Sequence, residues 1–240
     1  MENDAKQPAS QEANDGTQEK SSKTKKIKNE KFNWWQTLLI LLLTLIIAVG
    51  TAYYISDKYF WSKMDMNRVG EQLDYYKSKV DGEPNNPKHR VNLGYTYFLK
   101  GDNDEAIKQL KVALDLDKSN YDAYLNLSIV YKDLGELDNA LKAAEKCVDL
   151  NPRDYKGLLQ KGSIYRELKM YKDSLDVLNQ ANSLMPGNTD IIYEIGRLAE
   201  DQGQMKEAES IYKDALSYDP LYKNALKGLD RIASKDSNKK

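Results

Sequence analysis

Few side chains in this 240-residue chain could do covalent or metal chemistry, and their spacing argues against both. Cys147 is the only cysteine and His89 the only histidine. One of each, far apart, builds neither a Cys–His nucleophilic pair nor a His/Cys zinc site. Serines have no histidine partner, because His89 stands beside Pro87 in a linker. Carboxylates are plentiful, but they fall on the polar faces of helical patterns. Glycines occur singly, so no loop is rich enough in them to cradle a phosphate. The reading is a chain with no catalysis of its own, no cofactor, no metal and no small-molecule substrate. Cys147 lies inside a helical pattern, where cysteine packs as a small hydrophobe.

The remaining chemistry is that of surfaces. Apolar residues make up 40 % and charged residues 30 %, the balance of a helix-rich globular chain. Tyrosine is abundant, with 17 copies, and its apolar ring with a polar tip suits half-buried faces and grooves. The formal net charge of −1 hides a segregation, since lysines 20, 23, 25, 26, 28 and 31 crowd together near the N-terminus.

Three regions position these surfaces. Residues 1–33 are polar and of low complexity, too poor in apolar side chains to offset their ordering entropy, and read as disordered. Residues 34–55 carry no charge and are long enough to cross roughly 30 Å of hydrocarbon as a helix. Trp34 and Trp35 stand at one end, and Tyr53, Tyr54, Tyr59, Phe60 and Trp61 at the other, as aromatic belts do. A cleaved signal peptide competes with this reading, because Ala48-Val49-Gly50 loosely resembles a cleavage site. The long N-terminal region and the aromatic cluster beyond favour a retained single-pass anchor. A lipoprotein signal would need a cysteine here. The lysines before the span, against Lys58 and Lys63 after it, orient the N-terminus toward the cytoplasm. The same basic run next to a membrane points to lipid headgroups and topology rather than to nucleic acid.

The rest is periodic. Pro152, Pro186 and Pro220 are evenly spaced, and Pro84 lies two of the same steps before Pro152. In the same register stand Gly94, Ser128, Gly162 and Gly196. Others are Ala106, Ala140, Ser174 and Ala208, and Ala113, Cys147, Ala181 and Ala215. Turn residues Gly101, Gly135, Lys169 and Gly203 repeat as well. Tyr124, Leu127 and Tyr131 fall on one helical face, and Leu137, Ala140, Leu141, Ala144 and Val148 on another. One such hairpin cannot cover its own apolar face, so neighbours must stack.

Segments such as Leu93-Gly94-Tyr95-Thr96-Tyr97 through Ala106 resemble the tetratricopeptide repeat, a 34-residue helix–turn–helix. The resemblance implies an all-α, right-handed superhelix of four hairpins: 87–120, 121–154, 155–188 and 189–222. Residues 56–86 would hold a juxtamembrane linker and a capping helix, and 223–240 a second capping helix and a polar tail. It also implies that first helices line a concave groove. The groove residues would be Val91, Tyr95, Phe98 and Leu99 in the first unit and Leu125, Ile129 and Lys132 in the second. Leu159 and Arg166 follow in the third, and Tyr193 and Arg197 in the fourth. Glu200 and Asp201 take the same face, with Asp133, Glu167 and Asp201 expected as solvated charges. A clamp for a C-terminal carboxylate would need Lys and Asn where Val91, Leu125 and Leu159 stand, so an apolar protein or peptide segment is the expected partner. The functional expectation is a membrane-anchored scaffold with its repeats outside the cytoplasm. The competing one is a structural subunit of a membrane complex acting through its transmembrane helix.

Overall fold

A computed structural model describes residues 33–55 and 62–237. The expected disorder of residues 1–33 and the linker at 56–61 therefore lie, apart from Asn33, outside the described residues. The chain divides into two units, Met1–Ile55 and Ser56–Lys240.

In the first unit, α1 (Trp34–Ile55) has 22 residues, about 33 Å at 1.5 Å per residue. Side chains 34–52 are all exposed, although nearly all are apolar. The three threonine hydroxyls donate to carbonyls within the helix: Thr37 to Trp34 at 2.7 Å, Thr44 to Leu41 at 2.9 Å and Thr51 to Ile47 at 2.9 Å. The threonine hydroxyls are thus satisfied by the helix's own carbonyls, as an apolar solvent demands.

The second unit holds ten helices among the described residues. A long α2 (Ser62–Gly82) is followed by hairpins α3 (Pro87–Lys100)/α4 (Asn103–Leu116), α5 (Tyr121–Asp133)/α6 (Leu137–Leu150), α7 (Tyr155–Glu167)/α8 (Tyr171–Leu184) and α9 (Thr189–Asp201)/α10 (Met205–Tyr218). The last helix is α11 (Lys223–Ser237). First helices begin at a constant interval, at positions 87, 121, 155, 189 and 223.

The start of each hairpin is written in its cap residue. Asn86, Asn120, Asp154 and Asn188 accept backbone N–H bonds from the first turns of α3, α5, α7 and α9. Pro87 sits in the first turn of α3, where a missing N–H costs nothing, so His89 beside it lies in a helix and not in the expected linker. Inside the hairpins the chain turns through Gly101, Gly135, Lys169 and Gly203, all at left-handed φ between 61° and 85°. At all four, the turn residue's N–H and the next one close the Schellman pair of bonds onto the preceding helix.

Small residues set the separation within hairpins. Gly196 and Gly228 face Tyr212 from α9 and α11, and a Cβ at either would come within 2.6 Å of its ring. The tyrosine is consequently buried completely. Ala106, Ala140, Ser174 and Ala208 are fully buried, as are Ala113, Cys147, Ala181 and Ala215. Leu110, Ile164 and Leu178 lose all their exposure. Each such side chain contributes about 1.5–3 kcal/mol of burial. Burial pushes the Cys147 thiol up to about 11, so it stays protonated.

Each first helix touches the next first helix (α3 with α5, α5 with α7, α7 with α9, α9 with α11), whereas no second helix touches the next second helix. The first helices therefore form the closer-packed, inner layer of the stack.

Lys169 is the one described non-glycine residue in the left-handed region. Lys169→Gly should raise stability by about 0.5–1 kcal/mol, the relieved strain less the larger backbone entropy of glycine in the unfolded chain. Gly203→Ala should lower it by about 1 kcal/mol. Urea unfolding measures both.

Candidate functional site

The inner layer presents one row of side chains per first helix. Tyr95 and Leu99 on α3 are each 41 % exposed, large for apolar residues on a packed helix. Phe98 is half-buried, with its ring 6.2 Å from that of Tyr95. Leu125 and Ile129 on α5 and Leu159 on α7 are half-buried. On α9, Tyr193 and Arg197 are half-buried, and the guanidinium donates to the tyrosine Oη at 3.3 Å.

Three residues expected to stand open on this face are buried instead. Val91 is 5 % exposed and packs with Ala106, Leu110 and Ala123, because the α3 face it occupies is the one covered by neighbouring helices. Arg166 is 5 % exposed and donates to Glu194 at 3.0 Å and Asp201 at 2.7 Å, with Glu167 at 3.4 Å. Burial works against its charge, but the Glu194 and Asp201 carboxylates outweigh that and raise its pKa. Asp201 is consequently an ion-pair partner rather than a free surface charge. Glu200 is 6 % exposed and accepts from Tyr212 at 2.8 Å, Arg231 at 2.9 Å and Lys235 at 3.0 Å.

A common register explains these polar contacts. Phe98, Lys132, Arg166 and Glu200 are one repeat period apart, each in the last turn of a first helix. From this position a side chain reaches the next first helix. Lys132 Nζ donates to Ser163 Oγ at 2.8 Å, 31 residues on. Glu200 accepts from Arg231, also 31 residues on. A search for complementary residues at that offset would have found these pairs in the sequence. For Arg166 the same offset gives Arg197, so the guanidinium turns to Glu194 and Asp201 instead.

Between α5, α7, α9 and the start of α11 lies a pocket of about 200 Å³, lined by Lys132, Leu159, Ser163, Tyr193 and Glu194 among others. A second hollow of about 560 Å³ opens at the hairpin turns beside Gly135, Glu167, Lys169 and Tyr171. Among the described residues no cluster of His, Cys, Asp and Glu could hold a metal ion.

An inner layer of stacked first helices, each packed on its own second helix, defines a solenoid of helical hairpins. Comparison with known proteins agrees. A TPR repeat model matches residues 94–135, and tetratricopeptide repeat models match 121–154 and 165–230. The chain carries tetratricopeptide repeats, an array that generally mediates contacts between proteins. Among solved structures, TTC0263, a thermophilic TPR protein of Thermus thermophilus, superposes with a TM-score of 0.61 at 23 % identity, over 72 % of this chain and 93 % of that one. YrrB, described as a TPR protein with an unusual peptide-binding site, gives 0.52 at 22 %, over 67 % and 82 %. MamA gives 0.52 at 26 %, over 71 % and 92 %. No curated protein matches the sequence.

The buried charges have two measurable effects. Burial pushes the Glu200 carboxyl up, but the hydrogen bonds from Arg231, Lys235 and Tyr212 prevail and hold it at about 2, below its usual 4.5. A lowered folded value stabilises above the unfolded value and is lost as the carboxylate protonates. Stability should therefore fall as pH drops from about 4.5 to 2, and Glu200→Gln should flatten that slope in urea titrations. Arg166→Met should cost about 2 kcal/mol, under the 3–5 kcal/mol of a fully buried pair because its carboxylates reach water.

Proposed function

We propose that this chain is a membrane-anchored, non-enzymatic scaffold whose inner helix layer holds a protein or peptide segment. The supporting observation is the row of uncovered apolar side chains on consecutive first helices: Tyr95 and Leu99, with the half-buried Phe98, Leu125, Ile129 and Leu159 beside them. Aromatic side chains half-seated on a rigid helix bind at low entropic cost, which is why they anchor interfaces. Toward α9 the same face becomes polar, through Lys132, Tyr193 and Arg197. The bound segment is thus apolar toward α3 and polar toward α9.

The anchor is α1. Its length and its freedom from charge suit a membrane span, and a signal sequence near the N-terminus would share both. The lysines that precede it support an extracytoplasmic side for the repeats under the positive-inside rule.

Tyr95→Glu and Leu125→Glu should each weaken partner binding at least about tenfold, the equivalent of roughly 1.4 kcal/mol, without loss of helical circular dichroism. Unchanged binding in both would remove the groove from the account. Replacing residues 34–55 with an unrelated span should preserve partner binding; loss of binding would assign the essential contact to the helix itself.

A further inference from the structure

Four first helices are preceded by a capping Asn or Asp: Asn86, Asn120, Asp154 and Asn188. In the same register, Tyr222 stands before α11. A phenol at this place cannot fold back onto the first-turn N–H groups, so α11 forgoes the cap that its counterparts have. The ring is used elsewhere. It stands edge-on to Tyr193 with centroids 6.0 Å apart, and its hydroxyl donates to Asp190 Oδ1. Asn224 in turn donates to that hydroxyl at 3.3 Å. Tyr222 thereby walls the distal end of the 200 Å³ pocket, which is smaller than the roughly 300–1,000 Å³ of drug-sized sites and suits one side chain.

The hydrogen-bonding capacity of the lining is unbalanced. Both carboxylates already hold donors: Asp190 takes the Tyr222 hydroxyl, and Glu194 takes Arg166 at 3.0 Å. The donors are less well served. Gln160 Nε2 is buried with no acceptor among the described residues. Among the described residues Lys132 has one acceptor, Ser163 Oγ, for its three protons. A buried donor without a partner is costly, and the missing group is an acceptor. A carboxylate in this space would face Asp190 and Glu194, two like charges. A neutral carboxamide meets both demands: its carbonyl accepts from Gln160 and Lys132, its NH₂ donates to the lone pairs that Asp190 and Glu194 keep, and its flat face lies against the Tyr193 ring.

On the groove reading above, we infer that the pocket walled by Tyr222 is a side-chain subsite that takes an Asn or Gln carboxamide of the bound segment. The test uses the full chain in detergent micelles with fluorotyrosine at 193 and 222, followed by fluorine NMR. The probes are the N-acetyl-N-methylamides of glutamine, glutamate, norleucine and alanine, which share one backbone. The glutamine probe should shift both resonances saturably, with the other three at least about tenfold weaker, the worth of one well-made hydrogen bond. Gln160→Leu should weaken the glutamine probe about tenfold. Tyr222→Asn, which restores the capping residue and so keeps α11 folded, should abolish its binding with helical circular dichroism unchanged. Equal or tighter binding of the glutamate probe overturns the proposal in favour of a carboxylate. Equality with the alanine probe overturns it in favour of a peptide unit, and equality with norleucine reduces the pocket to an apolar contact. No saturable shift from any probe removes the subsite, while partner binding sensitive to Tyr95→Glu would still uphold the groove.

Discussion

A hairpin of two short helices has more apolar surface than its own contact can cover. That constraint governs the molecule. Within each hairpin the helices must come close, and small residues at the crossings permit it; Tyr212 shows the limit, with its ring filling the space that Gly196 and Gly228 leave. The surface still uncovered is buried by the next hairpin, so the units are stable only as a stack. Stacking at a constant period repeats the same contact, and the first helices meet one another along the whole array. The continuous inner face is a by-product of that contact, and it is the surface proposed to hold a partner.

Interfaces between units share geometry but differ in chemistry. At the shared position in the last turn of the first helix, Phe98 gives an apolar contact, Lys132 a bond to a hydroxyl, Arg166 an ion pair with two carboxylates, and Glu200 a cluster with Tyr212, Arg231 and Lys235. Polarity therefore increases from α3 toward α11. Buried charges of this kind are poor sources of net stability, but they penalise any misaligned stacking that would leave one unpaired. The α3 end, by contrast, leaves Tyr95 and Leu99 open to a visitor.

The repeat packing was legible in the sequence because its signals are local and redundant. Prolines, small residues and turn residues recur in one register, and Lys169 could be recognised as a departure before its left-handed backbone was seen. Positions within the inner face were less legible. Val91 shares the outline of a groove residue, yet it packs under α4 and α5, since periodicity supplies a register without saying which neighbour covers it. Arg166 and Glu200 read as open groove-face residues because the partners that bury them across the stack, Glu194, Asp201, Arg231 and Lys235, are 28 to 35 residues away. Tyr222 departs from the capping pattern in plain view, but what its ring does instead depends on Tyr193 and Asp190, which only the stacked structure brings near.

The central claim is that the inner layer, rather than the outer, meets a partner. Photoreactive amino acids placed singly at Tyr95, Leu125 and Leu159 on the first helices, and at the exposed Leu116 and Leu150 at the ends of second helices, test it in native membranes. One discrete adduct is expected from the three inner positions and none from the two outer ones. Adducts from Leu116 and Leu150 alone, or equally from both sets, would contradict it.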